Sequence, residues 1–432
     1  MHVCQLCKPT AERLPGSNNP DYTVKRLRAE IEPVAARDFL RFLLSWQRLA
    51  PEARMEGPDA LEGVVAQLQG FEAPAAAWES EILPGRLAGY EPAWLDDLCL
   101  AGRISWSRLR PRSYKQNGEG RASPVRTTPI TLLVRRHAAM WVALSGAADA
   151  ALPSPRALQV ADFIRQNGAS FFDEIMTGAR LLRSQAEEAL AELVALGLVS
   201  SDSFAGLRAL LVPSSERRPI ASGRRRRRTV SFGMEDAGRW ALGAGALARE
   251  PVPVGANAGG AAVEHVARAL LNRYGVVFWR LLEREAQWLP PWRDLLGVYR
   301  RLEGRGEIRG GRFVAGFSGE QFALPDAIGA LRETRRRKTT GTMISISGAD
   351  PLNLAGILTP GPRLPALTGN RLLYRDGLPV AMLTAGEVRF LEDLDPAAEW
   401  EANKALLRAE FAPSVSAERQ AQRLVVTVTP RA

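Results

Sequence analysis

One order of elements recurs along these 432 residues. In residues 154–213 the stretch SPRALQVADFIRQNG places Leu158, Ala161 and Ile164 on one face at helical spacing, and Gly168 stops the helix. SFFDEIM reads as a short second helix. RSQAEEALAELVALG reads as a third, with Ala186, Ala189, Leu190, Leu193 and Val194 on one stripe. LVSSDSF and GLRALLV then read as a hairpin around Ala205-Gly206. Residues 263–325 repeat these steps in VEHVARALLNRYG, VVFWRLLEREAQWL and PPWRDLLGVYRRLEGRG, with Pro291 placed for a helix start, and in the wing strands of EIRGGRFVAGF and EQFALP. A Gly-x-x-Phe element marks the same point in both copies, Gly168 to Phe171 and Gly275 to Phe278, 107 residues apart. The repeat predicts tandem winged helices.

A weaker copy precedes these two. VAARDFLRFLLSWQRL sets Phe39, Leu43 and Trp46 on one helical face, and Gly57-Pro58-Asp59 breaks the chain before LEGVVAQLQG. PAWLDDLCLAG is a further helix. ISWSRLRP and TTPITLLVRR are strands around a polar loop from Arg112 to Arg126. Residues 21–150 therefore read as a winged-helix-like module with a long wing, and 151–213 and 263–326 as winged helices. Residues 214–262, rich in Arg, Gly, Ala and Pro, read as a linker, 1–20 as a disordered leader, and 393–432 as a helix and tail. TMISIS, LAGILTP, NRLLYRDGLPVAML and EVRFL read as short strands of a β module over 327–392, with Asp376-Gly377 as a hairpin turn. The fold class expected is α+β: tandem winged-helix modules followed by a small β-barrel-like module.

Charge points to a partner. Lys+Arg number 57 and Asp+Glu 47, and the net +10 makes nucleic acid the natural one. Glu216 to Arg228 holds seven arginines against one glutamate, and Arg332 to Lys338 five cations against Glu333, so these two runs account for the whole excess. Such a run is either a solvated linker or a set of phosphate contacts. None of the five lysines (Lys8, Lys25, Lys115, Lys338, Lys404) follows glycine, so this sequence encodes no P-loop. Cys4 and Cys7 form one CxxC, but only Cys99, His2, His137 and His265 remain as further ligands, so neither a metal site nor a cofactor is expected. The three histidines leave no nucleophile-His-acid set. Apolar stretches such as Ala138 to Ala148 fall short of the roughly 18 residues of a membrane span, and the N-terminus lacks a signal-peptide core. The chain reads as cytoplasmic, without a membrane partner.

QLQGFEAPAAAWESEILPGRL, PAWLDDLCLAGRISWSRLRP, LVSSDSFAGLRALLVP, the long run from GVVFWRLLEREAQWLPPW to EQFALP, and DPLNLAGILTPGPRLPALTGNRLLYRDGLPVA together resemble the bacterial large helicase-related protein family over residues 21–392. The resemblance implies the C-terminal part of a longer ATP-dependent helicase acting on DNA and RNA–DNA hybrids, without the motor domains that precede it. It implies a non-catalytic nucleic-acid-binding and assembly region that self-associates or joins a motor subunit in trans. More distantly the region resembles winged-helix DNA glycosylases, the alternative function. Their catalytic motif aligns with Gly70-Phe71-Glu72-Ala73-Pro74, which makes Glu72 the candidate base and puts the inert Pro74 at the second catalytic position.

The nucleic-acid candidates are chosen by charge. In a winged helix the third helix enters the major groove and the wing touches the backbone. Arg293, Arg300 and Arg301 lie on the third helix of the last copy. Arg108, Arg110, Arg112 and Arg126 flank the first wing, and Arg224, Arg225, Arg226, Arg227 and Arg228 form the linker run. The helix of residues 183–197 is expected to expose Glu187, Glu188 and Glu192 and so to repel phosphates.

Overall fold

The computed structural model describes residues 32–110, 125–145, 152–211, 233–234, 237–243 and 258–407. Among the described residues helix α1 (Ala36–Trp46) comes first, and it buries Phe39, Leu40, Phe42, Leu43 and Leu44. Three winged-helix units follow, each built on a three-stranded sheet of one connectivity. The first holds α2 (Pro58–Leu68), strand β1 (Ala73–Pro74), an irregular helical stretch to Arg86, α3 (Pro92–Leu100), β2 (Ile104–Ser107) and β3 (Pro129–Val134). Then comes α4 (Ala138–Ser145).

The second unit holds α5 (Pro155–Asn167), β4 (Ser170–Phe171), α6 (Phe172–Gly178), α7 (Arg183–Ala195), β5 (Val199–Ser201), α8 (Phe204–Leu211) and β6 (Arg239–Leu242). The third holds α9 (Ala258–Tyr274), β7 (Val276–Val277), a 3-10 turn at Trp279–Arg284, α10 (Trp292–Gly304), β8 (Arg309–Gly311) and β9 (Gln321–Ala323). In every unit the strand latest in the chain is central: β1-β3-β2, β4-β6-β5 and β7-β9-β8. Gly168 and Gly275 sit at equivalent helix ends with φ of +79° and +67°, a conformation that an L side chain resists.

Several expectations change. GLRALLV is helix α8, not a strand, because Phe204, Leu207 and Leu210 recur at helical spacing and are buried together. The true partner of β5 is β6, with Val199 opposite Leu242. The expected linker 214–262 thus contains a sheet's central strand and the start of α9. The second helix expected at VVFWRLLEREAQWL is only the 3-10 turn.

The C-terminal part opens with a helix, α11 (Pro325–Arg336), and continues as an antiparallel meander of β10 (Met343–Ser347), β11 (Arg371–Arg375), β12 (Leu378–Thr384) and β13 (Glu387–Phe390), followed by α12 (Pro396–Leu407). The four strands form an open sheet among the described residues, not a barrel. LAGILTP supplies only an isolated bridge between Ala355 and Thr359. Asp376 and Gly377, with φ of +49° and +84°, make the expected tight turn. One sheet face (Leu373, Ala381, Leu383) packs with Ala402 and Leu406 of α12, and the other (Leu372, Tyr374, Met382) enters a core shared with α1 and the third unit. A second core joins the first two units, where Trp106 meets Trp240 edge to face and donates to the Ser203 carbonyl at 3.0 Å.

Candidate nucleic-acid interface

The three units present different third helices. On α3 the exposed residues are Ala93, Asp97 and Leu100, with no cation. On α7 only one of the three glutamates expected outward is exposed, Glu188. Glu187 is buried and takes a hydrogen bond from Arg183 Nε at 3.1 Å. Glu192 accepts from the Ser154 amide and hydroxyl, both at 2.6 Å, and so serves the start of α5. Two of the expected repulsive charges are therefore internal, yet α7 has no free cation to offer either.

Helix α10 differs. Its apolar stripe of Leu295, Val298, Tyr299 and Leu302 is buried, which turns Arg293, Arg300 and Arg301 to solvent. Arg300 donates to Glu320 at 2.7 Å and ties the helix to the wing strand that follows. Arg305 pairs with Glu264 at 3.2 Å, and Glu264 also pairs with Arg268; hydrogen bonding from Arg268 holds its carboxyl below the usual range. Among the described residues Arg293 pairs only with its neighbour Asp294, at 3.3 Å, with its side chain 85% exposed. Arg301, and Arg309 and Arg312 of the wing, have no ion-pair partner among the described residues and are exposed. Sequence reading missed Arg309 and Arg312, although EIRGGRF carries both inside an expected wing strand. Third helix and wing of this unit therefore both carry exposed arginines, the residue type that meets a phosphate backbone.

The other candidates are scattered. Arg108 is half-buried, its carbonyl set close against Gly197 of the second unit. Arg110 is exposed, and Arg126 is exposed and donates to the Leu211 carbonyl at 3.4 Å. Arg112 and Arg224 to Arg228 lie outside the described residues, as do Cys4 and Cys7.

Glu72 is half-buried where the first and third units meet, and accepts from Trp288 Nε1 at 3.0 Å. Pro74 is locked into the sheet opposite Pro129. Around them Trp141 meets Trp288 and His265 edge to face, at 6.5 and 5.6 Å between ring centroids, and His137 lies 4.5 Å from His265. Burial, then the neighbouring His137, pushes the His265 imidazole down to about 4. Arg273 and Glu285 form a buried ion pair beside them, with Tyr274 donating to Glu285 at 2.7 Å. Among the described residues no cluster of three or more His, Cys, Asp or Glu is arranged to hold a metal, and no helix is long and apolar enough to cross a membrane.

Two of the three units match domains of known proteins. Residues 34–133 and 256–343 each match a family model described as large helicase-related protein, winged-helix domain. The "Lhr helicase/uracil glycosylase" of Escherichia coli (strain K12) is 29% identical over 94% of this chain, and "Lhr helicase/ probable uracil glycosylase" of Mycolicibacterium smegmatis is 29% identical over 71%. The matched regions span 27% and 20% of those two proteins. The solved structure of the Streptomyces sahachiroi DNA glycosylase AlkZ aligns over 88% of this chain and 97% of its own at 16% identity, with a TM-score of 0.45. The chain carries two matched winged-helix domains of the large helicase-related protein type.

Proposed function

We propose that this chain is a nucleic-acid-binding and assembly region of a large-helicase-related protein, with the third winged-helix unit as its DNA contact and no ATPase of its own. The observation that carries this reading is the set of exposed arginines on α10 and its wing. Arg293, Arg301, Arg309 and Arg312 are exposed there, while the third helices of the other two units have no cation to spare. Those two helices are left for assembly with a second copy or a motor-bearing chain in trans, in the cytoplasm. The test is a salt titration of duplex binding by fluorescence anisotropy. Each neutralised phosphate contributes about 0.9 to the slope of log affinity against log salt. Changing the four arginines to Ala should therefore reduce that slope by up to about 3.6, equally on unrelated duplexes. An unchanged slope would refute the assignment.

The second reading is base excision. It is supported by the names of the two curated relatives, one including a uracil glycosylase and the other a probable uracil glycosylase, and by the half-buried Glu72. Its test is abasic-site formation on a uracil-bearing oligonucleotide by the chain and by Glu72→Gln. Pro74 at the second catalytic position argues for no product.

A further inference from the structure

We infer that the cationic end of α11 is a second contact for the phosphate backbone of a nucleic acid. The inference rests on the reading that the chain binds nucleic acid, and it assigns a surface that α10 and its wing do not include. The run from Arg332 to Lys338 is no solvated linker. Ala327 and Leu331 bury one side of α11, which leaves Arg332, Arg335 and Arg336 outward, with Arg337 and Lys338 directly after the last turn. Glu333 is taken by Arg337 at 2.6 Å, and Arg335 pairs with Glu32 at 2.7 Å. Arg332, Arg336 and Lys338 keep no ion-pair partner among the described residues, and all three are exposed. A helix C-terminus carries only about half a negative charge, so five cations exceed what the helix itself calls for.

The run is also held from both sides. Arg41 of α1 donates to the carbonyls of Arg337 and Lys338, at 3.2 and 3.3 Å. Asp376 accepts from the amides of Thr340 and Gly341, at 3.2 and 3.0 Å. A platform fixed in this way loses little conformational entropy when a polyanion settles on it. The outward face of α11 has no large apolar residue, as insertion into a lipid surface would require. Helix α11 begins two residues after wing strand β9, and its 12 residues span about 18 Å.

The test uses the full chain and a 20-base-pair duplex. The triple variant Arg332→Ala, Arg336→Ala, Lys338→Ala should lower the salt slope by about 2.7 from wild type, additively with the loss from the α10 and wing variant. The charge-keeping variant Arg332→Lys, Arg336→Lys, Lys338→Arg should keep the wild-type slope, and thermal melts establish that all variants fold. A triple variant with the wild-type slope, while the α10 and wing variant loses its share, overturns this inference and leaves the proposed function standing. Wild-type protein that binds no duplex overturns both. Loss of binding to phosphatidylserine vesicles in the triple variant, with the duplex slope unchanged, overturns it in favour of a membrane surface.

Discussion

Gly70 sits where α2 hands over to β1, at φ +80°, and a Cβ built there would lie 2.1 Å from the indole of Trp141. The glycine is needed twice, for the backbone conformation and for the ring that lies against it. Gly70→Ala should destabilise the chain by about 3 kcal/mol, read from denaturant midpoints; a loss below about 1 kcal/mol would mean that Trp141 moves aside freely. The same ring borders His265, whose imidazole burial holds down at about 4 against an ordinary 6.5. Above pH 6.5 neither folded nor unfolded chain protonates it. Between about 6.5 and 4 the unfolded chain binds a proton that the folded chain refuses, so this group's stabilisation is lost as pH falls through that window. His265→Phe should therefore lose less stability than wild type between pH 7.5 and 4.5, and equal losses would exclude the group as a source. Glu72 became a candidate only through the resemblance to winged-helix DNA glycosylases, whose motif aligns with Gly70 to Pro74. Its partner Trp288 lies 216 residues away and no local pattern announces it.

At the scale of elements, the repeat was legible because helix ends are local: Gly168 and Gly275 stop their helices by backbone conformation alone. Strand pairing is not local. The hairpin expected at 198–212 failed because α8 stands between β5 and its partner β6, and a short apolar run satisfies either period. Besides its buried apolar residues, one charged side chain ties α8 to the first unit. Arg208 grips Glu79 through Nε and Nη2 at 2.6 and 2.7 Å, and Asp96 through Nη1 at 2.9 Å, while Asp96 also accepts from the Ala205 amide at 2.7 Å. Burial raises the Glu79 carboxyl even against that pairing. Arg208→Ala would strand two carboxylates and should cost about 3–5 kcal/mol. Arg208→Met combined with Glu79→Gln and Asp96→Asn should recover most of it in urea unfolding. If the single variant costs under 1 kcal/mol, the pairing does not hold α8 in place.

Across the whole molecule, units far apart in sequence are joined by buried and half-buried arginines, and none of these contacts was visible in a chain read locally. The net charge was legible, and one of its two runs proves to be a fixed helix end. The ion pairs were not, because each arginine meets an acid or carbonyl brought close only by folding. Arg273 donates to the Gln69 carbonyl at 2.6 Å, and Arg284 to the carbonyls of Ala349 and Asp350 at 3.0 and 2.9 Å. Arg86 of the first unit, fully buried, donates to Asp350 beside the C-terminal sheet at 2.7 and 3.1 Å and to Gln47 at 2.8 Å. Asp350→Ala would leave that guanidinium buried without its counter-ion, a change that should cost about 3–5 kcal/mol. Because the pair spans the first unit and the C-terminal sheet, the loss should also weaken their coupling. Calorimetry of Asp350→Ala should then resolve a transition for the sheet and α12 below that of the winged-helix units. The pair Arg86→Met and Asp350→Leu removes both charges and keeps the volume, so it should restore most of the stability and the single transition. A single variant that melts as one unit at the wild-type temperature would mean that the shared core around α1, not the buried ion pair, couples the sheet to the rest.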